Sequence, residues 1–336
     1  MIFIFSSVLD LSTTDVMRWL HHLGVTDVLR VNYDDAANDR IVEFNVDQDI
    51  LSFRFDDRVI PLSEIGAVWY RKGRHWLCNQ FLDVNFSDYP KFAAYIAKKM
   101  FAEELRLSEY LHFVIENAVP ELGSPVRSDL NKLMVLHAAR QAGLLTPRFL
   151  ISNSKASLKT ALAEDPLITK PISDVLYLFE TEETNFGYYT YTETVTAAAL
   201  DELPDRISPS FVQEQIIKKF EVRVFFLDGQ CYAMAIFSQG DEQTRVDFRQ
   251  YNYTKPNRTV PFTLPPDVES KLVRLFELLK LNTGSVDFVV DQQGRFFFLE
   301  VNPVGQFTMV SAPCNYFLEK QIALTLRQYA TRNRSN

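Results

Sequence analysis

Three oxygen-bearing side chains near the C-terminal end of the chain have types and spacing that could hold a metal ion. Asp287, Glu300 and Asn302 lie in two apolar stretches joined by Asp-Gln-Gln-Gly. Glu300 and Asn302 are two residues apart, so on a strand their side chains point to the same face. Oxygen ligands without histidine or thiolate suit Mg²⁺, which completes its shell with water and phosphates. The alternative is an edge hairpin whose polar face is simply solvated.

A hairpin register would add the third side chain to this pair. If the four-residue turn sets Val290 opposite Arg295, Asp287 lies opposite Phe298 and diagonal to Glu300. The two carboxylates and the amide then converge on one face. The sequence therefore predicts a magnesium site on this hairpin.

Two lysines could contact phosphate oxygens. Ser128 can N-cap a helix that Gly143 would end, and Lys132 falls in the first turn of that helix. Lys170 ends the apolar run 167–169 and precedes a proline. A lysine at either place can put a point charge on a phosphate, as phosphoryl transfer requires. Each lysine alone could equally be a solvated surface residue.

A strand between these lysines and the metal site could bind a nucleotide. The apolar run 211–217 is interrupted by polar residues, and its end comprises Gln213, Glu214, Gln215 and Ile216. A strand that leads into a linker can offer backbone N–H and C=O groups to an adenine edge, while a following carboxylate such as Glu221 accepts ribose hydroxyls. The alternative is an ordinary strand.

Two arginines could neutralise the charge on a transferring phosphoryl group. Arg223 lies two residues after Glu221 and so shares its face of a strand, and Arg249 lies in the segment 247–251 before the hairpin. Ion pairing with some of the 43 acidic residues is the competing explanation.

The elements that position these side chains fall into successive segments. Residues 1 to about 118 predict an α/β domain, with strands at 2–5, 28–31, 41–46, 51–55 and 67–70 and helices at 14–23 and 89–119. Pro120 and Pro125 flank a probable domain junction. Beyond it, strands at 146–151 and 167–169 bracket a short helix at 157–163. The later part predicts strands at 211–217, 221–227 and 231–237, a hairpin turn at 227–230, an amphipathic helix at 265–279 and the second hairpin at 285–301.

Composition excludes several classes of protein. The chain has 336 residues, 47% of them apolar, and a formal net charge of −8, which disfavours non-specific nucleic-acid binding. Its three cysteines form no CxxC pair and its five histidines have no metal-ligand spacing, so we expect reduced thiols and no zinc site. No apolar run approaches transmembrane length. We therefore expect a cytoplasmic protein without a membrane or nucleic-acid partner.

The order of these features resembles the ATP-grasp superfamily over about residues 124–325. In that superfamily two α+β lobes hold ATP between them, lysines touch its phosphates, and two acidic residues with an asparagine bind Mg²⁺. The resemblance implies ATP and Mg²⁺ as cofactors. The matching positions are Lys132, Lys170, the segment 213–216, Glu221, Arg223, Arg249, Asp287, Glu300 and Asn302.

This resemblance also implies a fold and a domain division. We expect an α/β chain with the ATP-grasp fold: an N-terminal α/β domain over 1–120, a central lobe over 121–209 and a C-terminal lobe with the metal site over 210–336. Lys170, Arg223 and Arg249 would be the catalytic cations. Many superfamily members have a glycine-rich loop soon after the second lysine, but here the next glycine is Gly187. The aromatic and threonine content of 176–195 predicts a β-hairpin instead.

Within the superfamily the chain looks most like the graspetide synthetases of the microviridin-ligase and grasp-with-spasm types. The segments 69–73, 167–171, 246–251 and 300–303 resemble theirs. The resemblance implies a precursor peptide as partner, with a leader docked on the hairpin 176–195 and the adjacent helix, and a homodimer. The core would be rich in Asp or Glu and in Thr or Ser.

The implied activity is ATP-dependent macrocyclisation through side-chain esters or amides. A core carboxylate would be phosphorylated and then joined to a Thr or Ser hydroxyl or a Lys amine. Two alternatives stay open: an ATP-grasp ligase that adds an amino acid to a carboxylate, and an ATP- and peptide-binding protein that performs no chemistry. The sequence identifies no general base.

Overall fold

The computed structural model describes residues 1–34, 52–55, 58–72, 90–173, 177–179, 187–189, 192–239 and 256–333. Arg249, Cys78 and the predicted strand 41–46 lie outside these residues.

The described strands are β1 Ile2–Ser6, β2 Val28–Asn32, β3 Ser52–Phe55, β4 Arg58–Pro61, β5 Ala67–Tyr70, β6 Glu121–Leu122, β7 Phe149–Ser154, β8 Leu167–Thr169, β9 Tyr177–Phe179, β10 Gly187–Tyr189, β11 Glu193–Thr194, β12 Arg206–Glu214, β13 Lys218–Leu227, β14 Gln230–Phe237, β15 Arg258–Phe262, β16 Thr283–Asp291 and β17 Phe296–Asn302. The described helices are α1 Leu11–His22, α2 Pro90–Ala118, α3 Lys132–Gln141, α4 Lys155–Glu164, α5 Ala197–Glu202, α6 Pro266–Leu279, α7 Thr308–Cys314 and α8 Leu318–Asn333. The predicted α/β class is confirmed. Among the described helices, none is both long and apolar enough to cross a membrane.

The first of two compact units comprises residues 1–129, 281–284 and 303–336. Its sheet has the order β2-β1-β5-β6, and each neighbouring pair is parallel. Asp10 caps α1 by accepting a hydrogen bond from the Thr13 N–H. Apolar side chains of the sheet pack against α2 in a buried cluster that includes Phe3, Phe5, Val68, Leu111 and Ile115.

The second unit comprises residues 130–280 and 285–302. One of its sheets has the order β11-β8-β12-β7, with antiparallel neighbours, and the other has the order β15-β14-β13-β16-β17. The strands β9 and β10 pair as an antiparallel hairpin, as predicted for 176–195. The three-domain division read from the sequence stays a prediction.

The turn between β13 and β14 forms as the Asp-Gly sequence predicts. Leu227 pairs with Gln230, and the two turn residues have positive φ, 46° at Asp228 and 87° at Gly229. This conformation matches the twist of the strands that it joins.

The start of α3 differs from the prediction. Its N-cap is Asn131, whose side chain accepts from the Leu133 N–H at 2.9 Å and the Met134 N–H at 3.3 Å. Ser128 lies three residues before this cap, and its hydroxyl instead donates to the Pro125 carbonyl at 2.8 Å. The predicted stop is correct, since α3 ends just before Gly143, which has a φ of 86°.

Candidate nucleotide and metal site

The ladder between β16 and β17 brings two of the predicted metal ligands directly opposite each other. Asp287 pairs with Glu300, and Ser285 pairs with Asn302. Asn302 is two residues beyond Glu300, so all three predicted ligands lie on one face of the hairpin. Asp287 and Glu300 are partly buried, whereas Asn302 is exposed.

The register of this hairpin differs from the predicted one. Val290 pairs with Phe296 rather than Arg295, because Asp291 accepts the Gln293 and Arg295 N–H groups and holds a longer turn. A shift of one residue turns every side chain of a strand to the other face. On its own, the shift would place Glu300 and Asn302 on the core side with Phe288.

A β-bulge restores the predicted face. The register shifts between Asp287 and Phe288, and Leu299 is the extra residue on the opposite strand. Phe298 therefore faces Phe288 in the core, both fully buried, while Glu300 faces Asp287. The three predicted ligands therefore share one face, but through a bulged hairpin rather than the regular register that the sequence predicted.

A cleft of about 780 Å³, including its open mouth, lies beside this ladder within the second unit. Eight of the predicted site residues line it: Lys170, Gln213, Gln215, Ile216, Glu221, Arg223, Asp287 and Glu300. These come from the end of β8, from β12 and the linker that follows it, and from β13, β16 and β17. The cleft thus joins the predicted nucleotide segment to the predicted metal ligands.

Cations lie against both carboxylates of the predicted metal site. The Lys132 Nζ is 3.6 Å from the Glu300 Oε2 and donates a hydrogen bond of 2.9 Å to the Pro171 carbonyl. The Arg223 Nη1 is 3.8 Å from the Asp287 Oδ1. Lys132 therefore joins the start of α3 to the end of β8 and to the metal ligands.

Two backbone N–H groups at the end of β12 and in the linker that follows it already donate hydrogen bonds within the protein. The Glu214 N–H donates to the Arg148 carbonyl, and the Gln215 N–H donates to the Pro166 carbonyl, both at 2.8 Å. The Glu214 side chain lies against Arg148 rather than in the cleft. Adenine recognition would therefore use the Ile216 N–H and the carbonyl groups of this segment.

Glu221 lies in a polar cluster that the sequence reading missed. Its carboxylate accepts from the Lys218 Nζ and from the Ser238 hydroxyl, the latter at 2.5 Å. Burial raises the pKa of Glu221, and the charge and hydrogen bond of Lys218 oppose that rise. Lys218 and Thr192 also line the cleft. The position of Lys218 three residues before Glu221 was the signal in the sequence.

Some buried polar atoms in the cleft have no hydrogen-bond partner among the described residues. They include the Gln213 Oε1, in a residue that is 2% exposed, and the Arg223 Nε. Buried polar groups are nearly always satisfied in folded proteins. These atoms fit a cleft that takes a polar ligand.

The donor set fits Mg²⁺. Two opposed carboxylates and an amide on the same face supply only hard oxygen ligands, and the cations beside them match the phosphates of a nucleotide. Asp287, Glu300 and Asn302 would hold the ion.

Comparison of the chain with known proteins finds relatives by structure. No protein-family model matches the sequence, and no curated protein matches it. An ATP-grasp ligase associated with RiPPs in Chryseobacterium gregarium, in complex with ADP and a leader and core peptide, is 20% identical with a TM-score of 0.81, over 97% of this chain and 96% of that chain.

Two further structures match over nearly the whole chain. The macrocyclase MdnC of Microcystis aeruginosa MRC, bound with the precursor peptide MdnA, is 27% identical with a TM-score of 0.75, over 98% of this chain and 99% of that chain. The ATP-grasp ligase PsnB, with a minimal precursor, Mg and ADP, is 20% identical with a TM-score of 0.74, over 98% and 97%. The resemblance read from the sequence is therefore confirmed: the chain has the ATP-grasp fold, in the form found in ligases that modify peptides.

Proposed function

We propose that this protein is an ATP-dependent peptide macrocyclase of the graspetide-synthetase type. Its substrate is a ribosomal precursor peptide with a leader and an acidic core that contains Thr, Ser or Lys. The reaction joins Asp or Glu side chains of the core to those hydroxyl or amine groups. Cytoplasmic location and a homodimeric assembly are parts of the same proposal.

One observation carries this proposal. The cleft brings together the linker after β12, a strand-end lysine, an arginine and the two opposed carboxylates of the bulged hairpin. This is the arrangement that carboxylate activation by ATP needs, because it places a nucleotide, cations and a metal-binding face in one space. The likeness to peptide-bound ATP-grasp ligases supports a peptide as the acceptor.

The chain's own groups have distinct tasks in the first chemical step. A core carboxylate oxygen attacks the γ-phosphorus, the bond to the bridging oxygen of ADP breaks, and an acyl phosphate forms. Lys170, Arg223 and Arg249 neutralise the negative charge that spreads over the transferring group. Mg²⁺, when bound by Asp287, Glu300 and Asn302, would supply further neutralisation of the phosphate charge.

The second step closes the ring. The oxygen of a Thr or Ser hydroxyl, or a Lys nitrogen, attacks the acyl carbon. The bond from that carbon to the phosphate oxygen breaks, and inorganic phosphate leaves with the proton of the nucleophile. Holding both side chains of one peptide in the cleft makes this step intramolecular, which supplies much of the rate advantage. Exclusion of water protects the acyl phosphate from hydrolysis.

The nucleotide itself is held by the linker and by β13. The segment of Gln213, Glu214, Gln215 and Ile216 binds the adenine edge, and Glu221 accepts the ribose hydroxyls. Lys132, at the start of α3, and Lys170, at the end of β8, contact the phosphates. The hairpin of β9 and β10 with the adjacent helix binds the leader.

The direct test is the intact mass of the peptide after incubation with the protein, ATP and Mg²⁺. The substrate is the acidic, Thr- and Ser-containing peptide encoded beside the gene. We expect losses in multiples of about 18 Da, one water for each ring closed. With free amino acids added to the incubation, a gain in the mass of the peptide would favour the amino-acid ligase, and ATP binding without any change of the peptide would favour the non-catalytic alternative.

Three variants test the assignment of the metal ligands. We expect Asp287→Asn and Glu300→Gln each to slow cyclisation by at least about 100-fold. Glu277→Gln is the matched control, because Glu277 is an exposed carboxylate of α6 in the same unit. Asp287→Asn with normal peptide-dependent ADP release would remove Asp287 from the metal site.

Size-exclusion chromatography with light scattering tests the proposed homodimer, and a monomer would refute it.

A further inference from the structure

A second group of potential ligand side chains lies in the first unit, apart from the cleft. His112 and Glu116 are four residues apart on α2, so they share one face of the helix, and Glu121 is on β6. One potential ligand atom from each of the three lies within 4.8 Å of the other two. Tyr70, at the end of β5, places its ring 5.8 Å from the His112 ring, edge to face.

The distances within this group are short. The His112 Nε2 is 3.1 Å from the Glu116 Oε2, and the His112 Nδ1 is 3.4 Å from the Glu121 Oε2. The Ser124 Oγ is 3.2 Å from the same Nε2. Both ring nitrogens of His112 therefore have oxygen atoms nearby.

Three atoms of this group are nevertheless unsatisfied. The Tyr70 Oη, the His112 Nδ1 and the Glu121 Oε2 are buried and have no hydrogen-bond partner within the part of the chain that the structure describes. Tyr70 is 6% exposed and His112 is 5% exposed. Orphaned polar atoms of this kind are rare in a folded core, and three together point to a ligand that they share.

The charges around the group define what that ligand can be. Burial raises the pKa of Tyr70, and the charges of Glu121 and Glu116 raise it further, so the hydroxyl lies within their field. Arg127 is the described cation near these carboxylates, with its Nη1 3.6 Å from the Glu116 Oε2. With both carboxylates ionised and the imidazole neutral, the group is net negative even beside Arg127, which favours a cation as the ligand.

We propose that His112, Glu116 and Glu121 bind a divalent transition-metal ion such as Zn²⁺, with the Tyr70 hydroxyl directed at the same site. An imidazole nitrogen with carboxylate oxygens suits Zn²⁺ and Mn²⁺, whereas Mg²⁺ takes oxygen ligands. The site is independent of the proposed ATP-dependent reaction and lies on the elements that support the first sheet.

The geometry needs only a small adjustment. Ligand atoms at about 2.0–2.2 Å from one ion lie within about 4.4 Å of each other. The ligand atoms of this group all lie within 4.8 Å of one another, so a small approach of the side chains would bring them to that separation. Glu116 is partly exposed, so an ion can enter from solvent on that side.

The test is titration of the full chain with Zn²⁺ in excess Mg²⁺, followed by calorimetry and by metal analysis after dialysis. We expect one Zn²⁺ per chain and a higher melting temperature. Glu121→Gln and His112→Asn should each weaken binding by at least about tenfold. Glu103→Gln is the matched control, an exposed carboxylate on α2.

Controls separate loss of ligands from loss of the fold. Circular dichroism melting without metal is expected to show Glu121→Gln folded, because it removes a buried ionisable group and keeps the shape of the side chain. Asp287→Asn should bind Zn²⁺ as the wild type does. Unchanged Zn²⁺ affinity in folded Glu121→Gln and His112→Asn, or no Zn²⁺ retained by the wild type, would overturn the proposal.

Discussion

Lys218 and Glu221 form an ion pair in which each side chain is only 6% exposed. Such a pair is costly to desolvate, but the removal of one partner leaves the other charge buried alone. We expect Glu221→Leu and Lys218→Met each to lower the free energy of unfolding by about 3 kcal/mol. The double variant should lose much less than the sum of the two.

Urea unfolding measures the free energy of unfolding of the wild type, the two single variants and the double variant. The measurements are made without nucleotide, so that a loss of nucleotide binding does not affect them. Ser238→Ala is a useful comparison, because it removes one hydrogen bond to Glu221 and keeps the pair. Additive losses in the double variant would show that the two charges do not interact in the folded protein.

Cys231 should react slowly despite being only partly buried. Burial raises the pKa of its thiol to about 12, and the nearby charge of Glu269 adds to the rise. The thiolate is the reactive form, so we expect iodoacetamide to modify Cys231 at about pH 8 at least about tenfold more slowly in the folded than in the urea-unfolded chain.

Peptide mapping by mass spectrometry gives the two rates for Cys231. The raised pKa also affects the stability of the folded state. Its contribution is fully present below the pKa that the thiol has in the unfolded chain, and it is lost as the pH rises towards 12. Equal alkylation rates in the two states would contradict the prediction.

Among the elements, the turn of β13 and β14 gives the cleanest test of backbone conformation. A side chain added at Gly229 would meet no atom within 4 Å, but the residue has a φ of 87°. We expect Gly229→Ala to cost about 1–2 kcal/mol of stability from backbone strain alone. Asp228→Asn should be nearly neutral, because asparagine tolerates the positive φ. Thermal unfolding that shows no loss for Gly229→Ala would contradict this.

The sequence predicted the elements of the second unit better than their details. The amphipathic pattern places α6 within one residue of its bounds, and the Asp-Gly turn was confirmed. The predicted start of α3 was wrong because Ser128 and Asn131 are both good caps, and residue type alone does not choose between them. The bulge could not be predicted, since Leu299 only continues the apolar run 296–298 and its type does not mark it as an extra residue.

The candidate site was predicted as a set of residues rather than as a geometry. Residue type and the two-residue period of a strand predicted that Asp287, Glu300 and Asn302 lie on one face. The pairing of β16 with β17 agrees with this. The pairing of Lys218 with Glu221 depends on how β13 begins, which periodicity does not specify. The assignment of roles to these residues stays a prediction until variants are measured.

At the level of the whole chain, the two compact units alternate along the sequence. Residues 281–284 and 303–336 belong with the first unit, although most of the chain between 130 and 302 forms the second. α8 buries Leu318, Ile322, Ala323 and Leu326, and Lys320 lies over the Trp19 ring at 5.5 Å. The last helix therefore completes the core that α1 begins.

We expect a fragment of residues 130–336 to aggregate, because it exposes the apolar face of α8 that residues 1–129 cover in the full chain. Coexpression with residues 1–129 should restore solubility, and the full chain is the control. Light scattering of the purified fragment measures this. A monomeric fragment with cooperative unfolding would show that the second unit folds without the first.

The bulged hairpin sets a rule for building chimeras of this chain. Because one extra residue separates the core-facing Phe298 from the cleft-facing Glu300, a donor hairpin with strict alternation would exchange the two faces when spliced inside β17. Exchanges should therefore take residues 285–302 as one cassette. A library that varies position 299 while keeping its length would sample cleft shape without disturbing which side chains face the core.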